Sequence, residues 1–245
     1  MLLVCGGMVR SGSTLQYNMA RLLVSELRMG SGEGYIGGDD IAANAEKLDR
    51  WRTDAAIHVI KTHDVRADWL EGRDRVLYIY RDLRDVAVSA MQKFNQSGGK
   101  LILSLQKAVE ACGVVENMGG VLMQRYEDVV SDLHGAAKQM ADFLGVELSD
   151  DVADLIVSEC SIGKAVEKTG QMQGTFRAGV RKLLKFAGVS WDVFDQESLL
   201  HPDHVSNSKG AIGVWRSALP RAELSQIEKQ FGEWLIAHGY EENLK

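Results

Sequence analysis

Cysteine is scarce in this 245-residue chain: Cys5, Cys112 and Cys160 stand far apart and never as a CxxC pair. That excludes a disulfide framework and a zinc-finger-like framework, and it fits a reducing, cytoplasmic setting. No run approaches the roughly 18–20 apolar residues of a membrane span. The chain opens on its first apolar segment with no basic stretch ahead of it, so neither a membrane anchor nor an export signal is expected. Basic residues are not in excess either, with 28 Lys and Arg against 34 Asp and Glu for a net charge of −6. A nucleic-acid binder held by bulk electrostatics is thereby excluded, and any anionic ligand must be met by local basic groups. There is no internal repeat and no low-complexity tract. What remains, 45% hydrophobic and 25% charged residues, suffices for one large α/β domain over residues 1–245. Within it, 151–205 form a candidate helical cap.

One stretch organises the rest, Cys5-Gly-Gly-Met-Val-Arg-Ser-Gly-Ser-Thr14. It follows the apolar run Leu2-Leu-Val4 and leads into Leu15, Met19, Leu22, Leu23 and Leu27, spaced by threes and fours, which predicts strand, tight glycine turn and helix. Such a unit offers an anion free backbone N–H groups and the positive end of a helix. Gly7-x4-Gly12-Ser13-Thr14 nearly satisfies GxxxxGK[ST], the nucleoside triphosphatase pattern, but Ser13 stands in the lysine slot. A cation stands instead at Arg10.

Further buried strands are predicted at Ala55–Ile60, Arg75–Tyr80 and Gly120–Arg125. The first ends in Lys61-Thr-His63 and the second in Arg81-Asp-Leu-Arg-Asp85. In open parallel sheets, ligands bind outside the carboxyl ends of the strands, so two strands deliver basic residues to the edge that holds the glycine loop. Helices are expected over 86–94, over 101–118, from Val130 to a stop at Gly145, and from an N1 Pro220 to Gly239. Gly30 to Gly38 is too glycine-rich for regular structure and reads as a mobile loop or a linker. The alternation predicts an α/β fold with a mostly parallel central sheet flanked by helices and a helical C-terminal part.

Five segments in order resemble the cytosolic-type sulfotransferases, which use 3′-phosphoadenosine-5′-phosphosulfate (PAPS). Val9-Arg-Ser-Gly-Ser-Thr-Leu15 is similar to the family's 5′-phosphosulfate loop, PKSGTTW. Lys61-Thr-His63 matches its KTH segment. Arg81 with Ser89 eight residues later resembles its 3′-phosphate element, Arg125-Tyr-Glu-Asp128 its YED turn, and Lys209-Gly-Ala-Ile-Gly-Val-Trp215 its RKGxxGDW segment. The resemblance implies a P-loop sulfotransferase fold and transfer of a sulfuryl group from PAPS to a hydroxyl or amine of a small-molecule acceptor, leaving 3′-phosphoadenosine-5′-phosphate (PAP).

It also implies roles. His63 is the general base, since an imidazole with a pKa of about 6.5 accepts a proton at neutral pH. Lys61 and Arg10 steady the departing phosphate. Ser11, Gly12, Ser13 and Thr14 hold the 5′ end with Arg10; Arg81, Ser89, Ser208, Lys209 and Gly210 hold the 3′ phosphate. Tyr126 faces the adenine or the core, and Cys160 and Ile162 correspond to adenine-facing positions. No metal is expected, because a transferring sulfuryl group carries less charge than a phosphoryl group. Arg10, Leu15 and Ser208 depart from the pattern, replacing lysine, tryptophan and arginine. For Arg81 the plain reading is an ion pair with Asp82 or Asp85, and for the basic run from Lys164 to Lys185 it is a solvated helix face. Two other functions compete: a small-molecule kinase using ATP, with Asp82 as its magnesium ligand, or a nucleotide-binding module without catalysis. The loops hold few aromatics, which leans toward a polar or flexible acceptor.

Overall fold

A computed structural model describes residues 1–172, 195–201 and 210–242. Strand β1 (Leu2–Gly7) is buried along its whole length and lies at the centre of a five-stranded sheet. With β2 (Gly30–Tyr35), β3 (Ile57–Lys61), β4 (Arg75–Tyr80) and β5 (Val121–Arg125), the order is β2-β3-β1-β4-β5. Every pairing is parallel. A parallel strand covered on both faces must be apolar throughout, and β1 is. Its alternate side chains feed two cores. Leu2 and Val4 join Trp51, Ile60, Tyr78, Leu101, Leu105 and Phe231 on one face. Leu3 and Cys5 join Tyr17, Leu23, Val59, Leu77, Met140 and Ile156 on the other.

The helices that cover these faces follow the predicted alternation. Helix α1 (Ser13–Glu26) follows β1, and α2 (Ala45–Thr53) follows two single 3-10 turns. After β4 come α3 (Leu83–Phe94) and α4 (Gly98–Glu116). Asp82 caps α3, its carboxylate accepting from the Arg84 N–H at 2.9 Å. The helix expected from Val130 to Gly145 is two, α5 (Tyr126–Ser131) and α6 (Leu133–Leu144). Asp132 breaks them apart and caps α6 through the Gly135 N–H at 2.8 Å, the usual service of a short acidic side chain. Gly145 closes α6 at φ 71°. Then follow α7 (Asp150–Cys160), α8 (Ile162–Met172), α9 (Trp215–Ala218) and α10 (Arg221–Ala237). Pro220 stands one place ahead of N1, as the residue before α10.

The glycine-rich stretch after α1 is not a loop. Gly30–Tyr35 forms the edge strand β2, paired with β3 and shifted in register between Gly32 and Gly34. Its glycines serve close approach rather than mobility. A Cβ on Gly30 would lie 1.8 Å from the Ile57 carbonyl oxygen, and one on Gly32 would lie 2.7 Å from the Tyr17 hydroxyl. Ladder pairing and the tight fit to α1 override the low strand propensity of glycine.

Candidate active site

The carboxyl ends of β1, β3 and β4 lie side by side, and the chain leaves β1 toward β2 and β3 on one side and β4 and β5 on the other. This is the switch point at which open parallel sheets bind ligands. From β1 the backbone turns through residues 8–12. The Met8 N–H donates to the Ile79 carbonyl and the Ser11 N–H to that of Met8, both at 3.1 Å. The Ser11 hydroxyl is fully buried and sits 2.7 Å from the Met8 carbonyl and 2.8 Å from that of Ile79. Its side chain therefore pins the loop to β4 and does not line the cavity described below.

Gly12, at φ 95°, is the residue before α1, and that helix has no side-chain cap and no acidic residue in its first turn. The Gln16 N–H bonds back to the Gly12 carbonyl at 3.1 Å. The N–H groups of Ser13, Thr14 and Leu15 form the open first turn, where the helix dipole favours an anion. Arg10 adopts φ 70°, uncommon for a side-chain-bearing residue. Its Nε donates to Ser89 Oγ at 2.8 Å. Two residues assigned by sequence to separate anion contacts thus touch.

Lys61 ends β3 with its side chain buried. Its ammonium lies 3.3 Å from His63 Nε2 and 5.0 Å from the centroid of the Tyr35 ring. Burial lowers its pKa to about 8. His63 Nδ1 is 3.3 Å from the Gly7 carbonyl, which can only accept. The proton therefore belongs on Nδ1, and the Nε2 lone pair points toward Lys61. Desolvation first, then the Lys61 ammonium, lower the imidazole to about 4, with the Gly7 carbonyl pulling the other way. His63 is exposed to water, which offsets part of the desolvation and screens part of the repulsion from Lys61. His58, read from sequence as structural, sits between Glu33 and Asp54 at 2.9 and 2.8 Å and stacks on Trp51.

Arg81 follows β4 and is buried. It reaches Asp85 at 3.5 Å and donates to the Ala211 carbonyl at 2.8 Å, while its guanidinium lies over the Tyr126 ring at 4.3 Å. Its Nε is buried without a hydrogen-bond partner. Asp82 is not its partner: that carboxylate is taken by Arg84 at 2.8 Å. Arg84, fully buried, also pairs with Glu241 and stacks on Trp215 at 3.9 Å. Asp85 accepts from the Gly213 N–H at 2.7 Å and the Trp215 N–H at 2.9 Å. Sequence reasoning took Asp85 only as a mate for Arg81 and gave Arg84 no role. Yet these two side chains hold the 210–215 segment against the start of α3. Tyr126 donates its hydroxyl to the Gly210 carbonyl at 2.8 Å. Its ring leaves no room at Gly12, where a Cβ would come within 2.6 Å. Ser208 and Lys209 lie outside the described residues.

These elements enclose a cavity of about 600 Å³ whose wall includes Arg10, Gly12, Ser13, Thr14, Lys61, His63, Arg81, Ser89, Tyr126 and Gly210. Leu15, Cys160 and Ile162 line the same cavity. Lys168, from the basic run, lies on its wall and pairs with Glu159 at 2.9 Å; Arg177 to Lys185 of that run fall outside the described residues. A second cavity, of about 300 Å³, is lined by Met8, Val9, Tyr78, Ala90, Phe94 and Leu105, among others. His63, Val9 and Phe94 belong to both. Phe94 and Val9, on the shared wall, gave no signal in the sequence beyond being apolar.

The architecture is that of known sulfotransferase structures. Retinol dehydratase in complex with androsterone and the inactive cofactor PAP shares 17% identity with this chain at a TM-score of 0.58, covering 96% of this chain and 80% of that one. Mouse sulfotransferase SULT7A1 complexed with PAP shares 16% identity at a TM-score of 0.59, covering 96% and 84%. Among curated protein sequences none matches. At such identities the likeness speaks for the fold. The family model described as "Sulfotransferase domain" matches residues 6–239, nearly the whole length, and the chain therefore belongs to the sulfotransferase domain family.

Proposed function

We propose that the protein transfers a sulfuryl group from PAPS to a hydroxyl or amine of a small-molecule acceptor. One observation carries this reading: an open helix N-terminus, a buried arginine with an unsatisfied Nε, and the Lys61–His63 pair face one cavity. A buried guanidinium nitrogen without a partner is costly unless a ligand completes it. A volume of about 600 Å³ falls within the 300–1,000 Å³ range of small-molecule sites. The residues therefore fit a bisphosphorylated nucleotide. The 8–12 loop and the first turn of α1 take the 5′ end, Arg81, Ser89 and the Gly210 segment take the 3′ phosphate, and Leu15, Tyr126, Cys160 and Ile162 take the base. PAP in the crystals of two fold relatives agrees with that donor.

PAPS, when bound, supplies the activated sulfur. On this chain His63 Nε2 would take the proton from the attacking hydroxyl or amine of the acceptor. Lys61 and Arg10 stabilise the charge left on the phosphate. The smaller cavity, bounded by α3 and α4, takes the acceptor. Its wall combines Val9, Tyr78, Ala90, Phe94 and Leu105 with Gln96, Ser104 and Lys107, which suits an acceptor with an apolar body and polar groups. The single domain with an acceptor-side cap, and a reducing cytoplasmic setting, belong to the same proposal. Among the described residues no helix is long and apolar enough to cross a membrane.

The kinase reading loses its magnesium ligand, because Asp82 caps α3 and pairs with Arg84. Calorimetric titration with PAP, against ATP plus magnesium, tests the choice. Tight PAP binding and weak ATP binding support the proposal, and the reverse preference overturns it. If Lys61→Ala and His63→Ala each leave turnover within a factor of about three, well under one 1.36 kcal/mol decade, the assigned roles are wrong and a binding module is the better description.

A further inference from the structure

Cys112, Glu116 and His238 line neither cavity, yet their ligating atoms all lie within 4.8 Å of one another. Cys112 and Glu116 are one turn apart on α4, so both project from one face. His238 follows the last residue of α10. Glu116 is itself the last residue of α4, so two helix C-termini, each the negative end of a dipole, converge on the cluster. The Cys112 thiol sits 3.6 Å from Glu116 Oε1, and His238 Nε2 sits 2.6 Å from the same oxygen.

The histidine's other nitrogen orients the ring. Nδ1 lies 2.8 Å from the Trp234 carbonyl, which can only accept, so Nδ1 carries a proton. That leaves a lone pair on Nε2 facing a carboxylate oxygen, an arrangement that needs a cation between or beside them, a proton or a metal ion. A ring N–H given to a backbone carbonyl is how metal-ligating histidines are oriented. Trp234 stacks on the ring at 3.9 Å and Tyr80 meets it edge-on at 5.2 Å, which fixes its plane. We propose that Cys112, Glu116 and His238 form a binding site for a divalent transition ion of the zinc class. Thiolate, imidazole and carboxylate together select zinc over magnesium or calcium, and three protein ligands leave a fourth position for water. With metal–ligand bonds of about 2.0–2.3 Å, Glu116 must draw back from His238, and its partly exposed side chain is free to do so. Binding releases the Cys112 thiol proton together with any proton shared by His238 and Glu116, so affinity rises with pH.

The test is a cobalt(II) titration of the whole protein, followed in the near-ultraviolet and visible. One equivalent should raise thiolate-to-cobalt charge-transfer and tetrahedral d–d bands, and zinc should bleach both. Cys112→Ser should abolish the charge-transfer band, and His238→Gln and Glu116→Gln, at less buried positions, should each weaken binding tenfold or more. Cys160→Ser and His63→Ala should leave the titration unchanged. Absence of a charge-transfer band, its survival in Cys112→Ser, or affinities unmoved by the His238 and Glu116 substitutions would overturn the site.

Discussion

Arg10 Nε donates to Ser89 Oγ at 2.8 Å across 79 positions of sequence, joining the glycine turn after β1 to the middle of α3. The two residues form one unit, so a phosphate bound at either end acts on both. In a double-mutant cycle on PAP affinity, Arg10→Ala and Ser89→Ala should couple by at least ~0.5 kcal/mol. Additive losses measured by calorimetry would show that the contact carries no binding energy.

The pH profile of kcat/KM follows from the Lys61–His63 pair. His63 must be neutral to accept a proton, and its lowered pKa places the acidic limb below the ordinary 6.5. Lys61 must be charged, and its lowered pKa places the basic limb near about 8. In Lys61→Arg, whose charge does not titrate in this range, the basic limb should move up or vanish. A basic limb unmoved by that change assigns it to another group.

Lys61 should cost stability while serving turnover. Its folded pKa of about 8 lies below the ordinary 10.5, so the unfolded chain holds the extra proton between those values. Stability from this group therefore rises with pH from about 8 to 10.5, and the full penalty stands below 8. Lys61→Met should raise stability at pH 7 by roughly 1–3 kcal/mol and remove the alkaline rise, while turnover falls ~100-fold or more. Urea unfolding at pH 7 and pH 9.5 reads the first effect. A destabilised variant would mean the ammonium is compensated where it lies.

Asp85→Ala should be severe. The carboxylate, buried at 2% exposure, satisfies the Gly213 and Trp215 N–H groups and faces Arg81. Losing it strands these donors at a cost of about 3–5 kcal/mol, and the 210–215 segment should detach, so PAP affinity falls with stability. Unchanged PAP affinity in the folded fraction would separate this segment from the nucleotide site.

The strands β1, β3, β4 and β5 were legible because buried parallel strands are continuous apolar runs, and the basic groups at their ends fell where the sheet topology puts a ligand. Strand β2 was not, because Gly30 and Gly32 look like loop until Ile57 and Tyr17 are seen to press against them. The break at Asp132 was masked by the apolar period that continues on both sides of it. Lys61 and His63 could be paired from sequence, being two residues apart, whereas Arg10 with Ser89 and Asp85 with Trp215 are tertiary contacts that leave no local periodicity. The same holds for the Cys112 cluster, whose third member comes from the other end of the chain. Ser11 is the converse case: it stands in a motif whose neighbours face the cavity, but its hydroxyl bonds to the Met8 and Ile79 carbonyls and holds the loop.

One aromatic ring also sets a rule for variation. Tyr126 packs against Gly12, hydrogen-bonds at Gly210 and covers Arg81; both glycines hold positive φ, 95° and 74°. Any side chain introduced at Gly12 meets the ring before it meets a ligand, and a smaller residue at 126 frees that space while uncovering the arginine. Positions 12, 126 and 210 therefore cannot drift independently. In a randomised library selected for activity, glycine should be kept at 12 and 210 on both counts, the positive φ and the ring, and changes at 126 should be recovered only with both glycines in place.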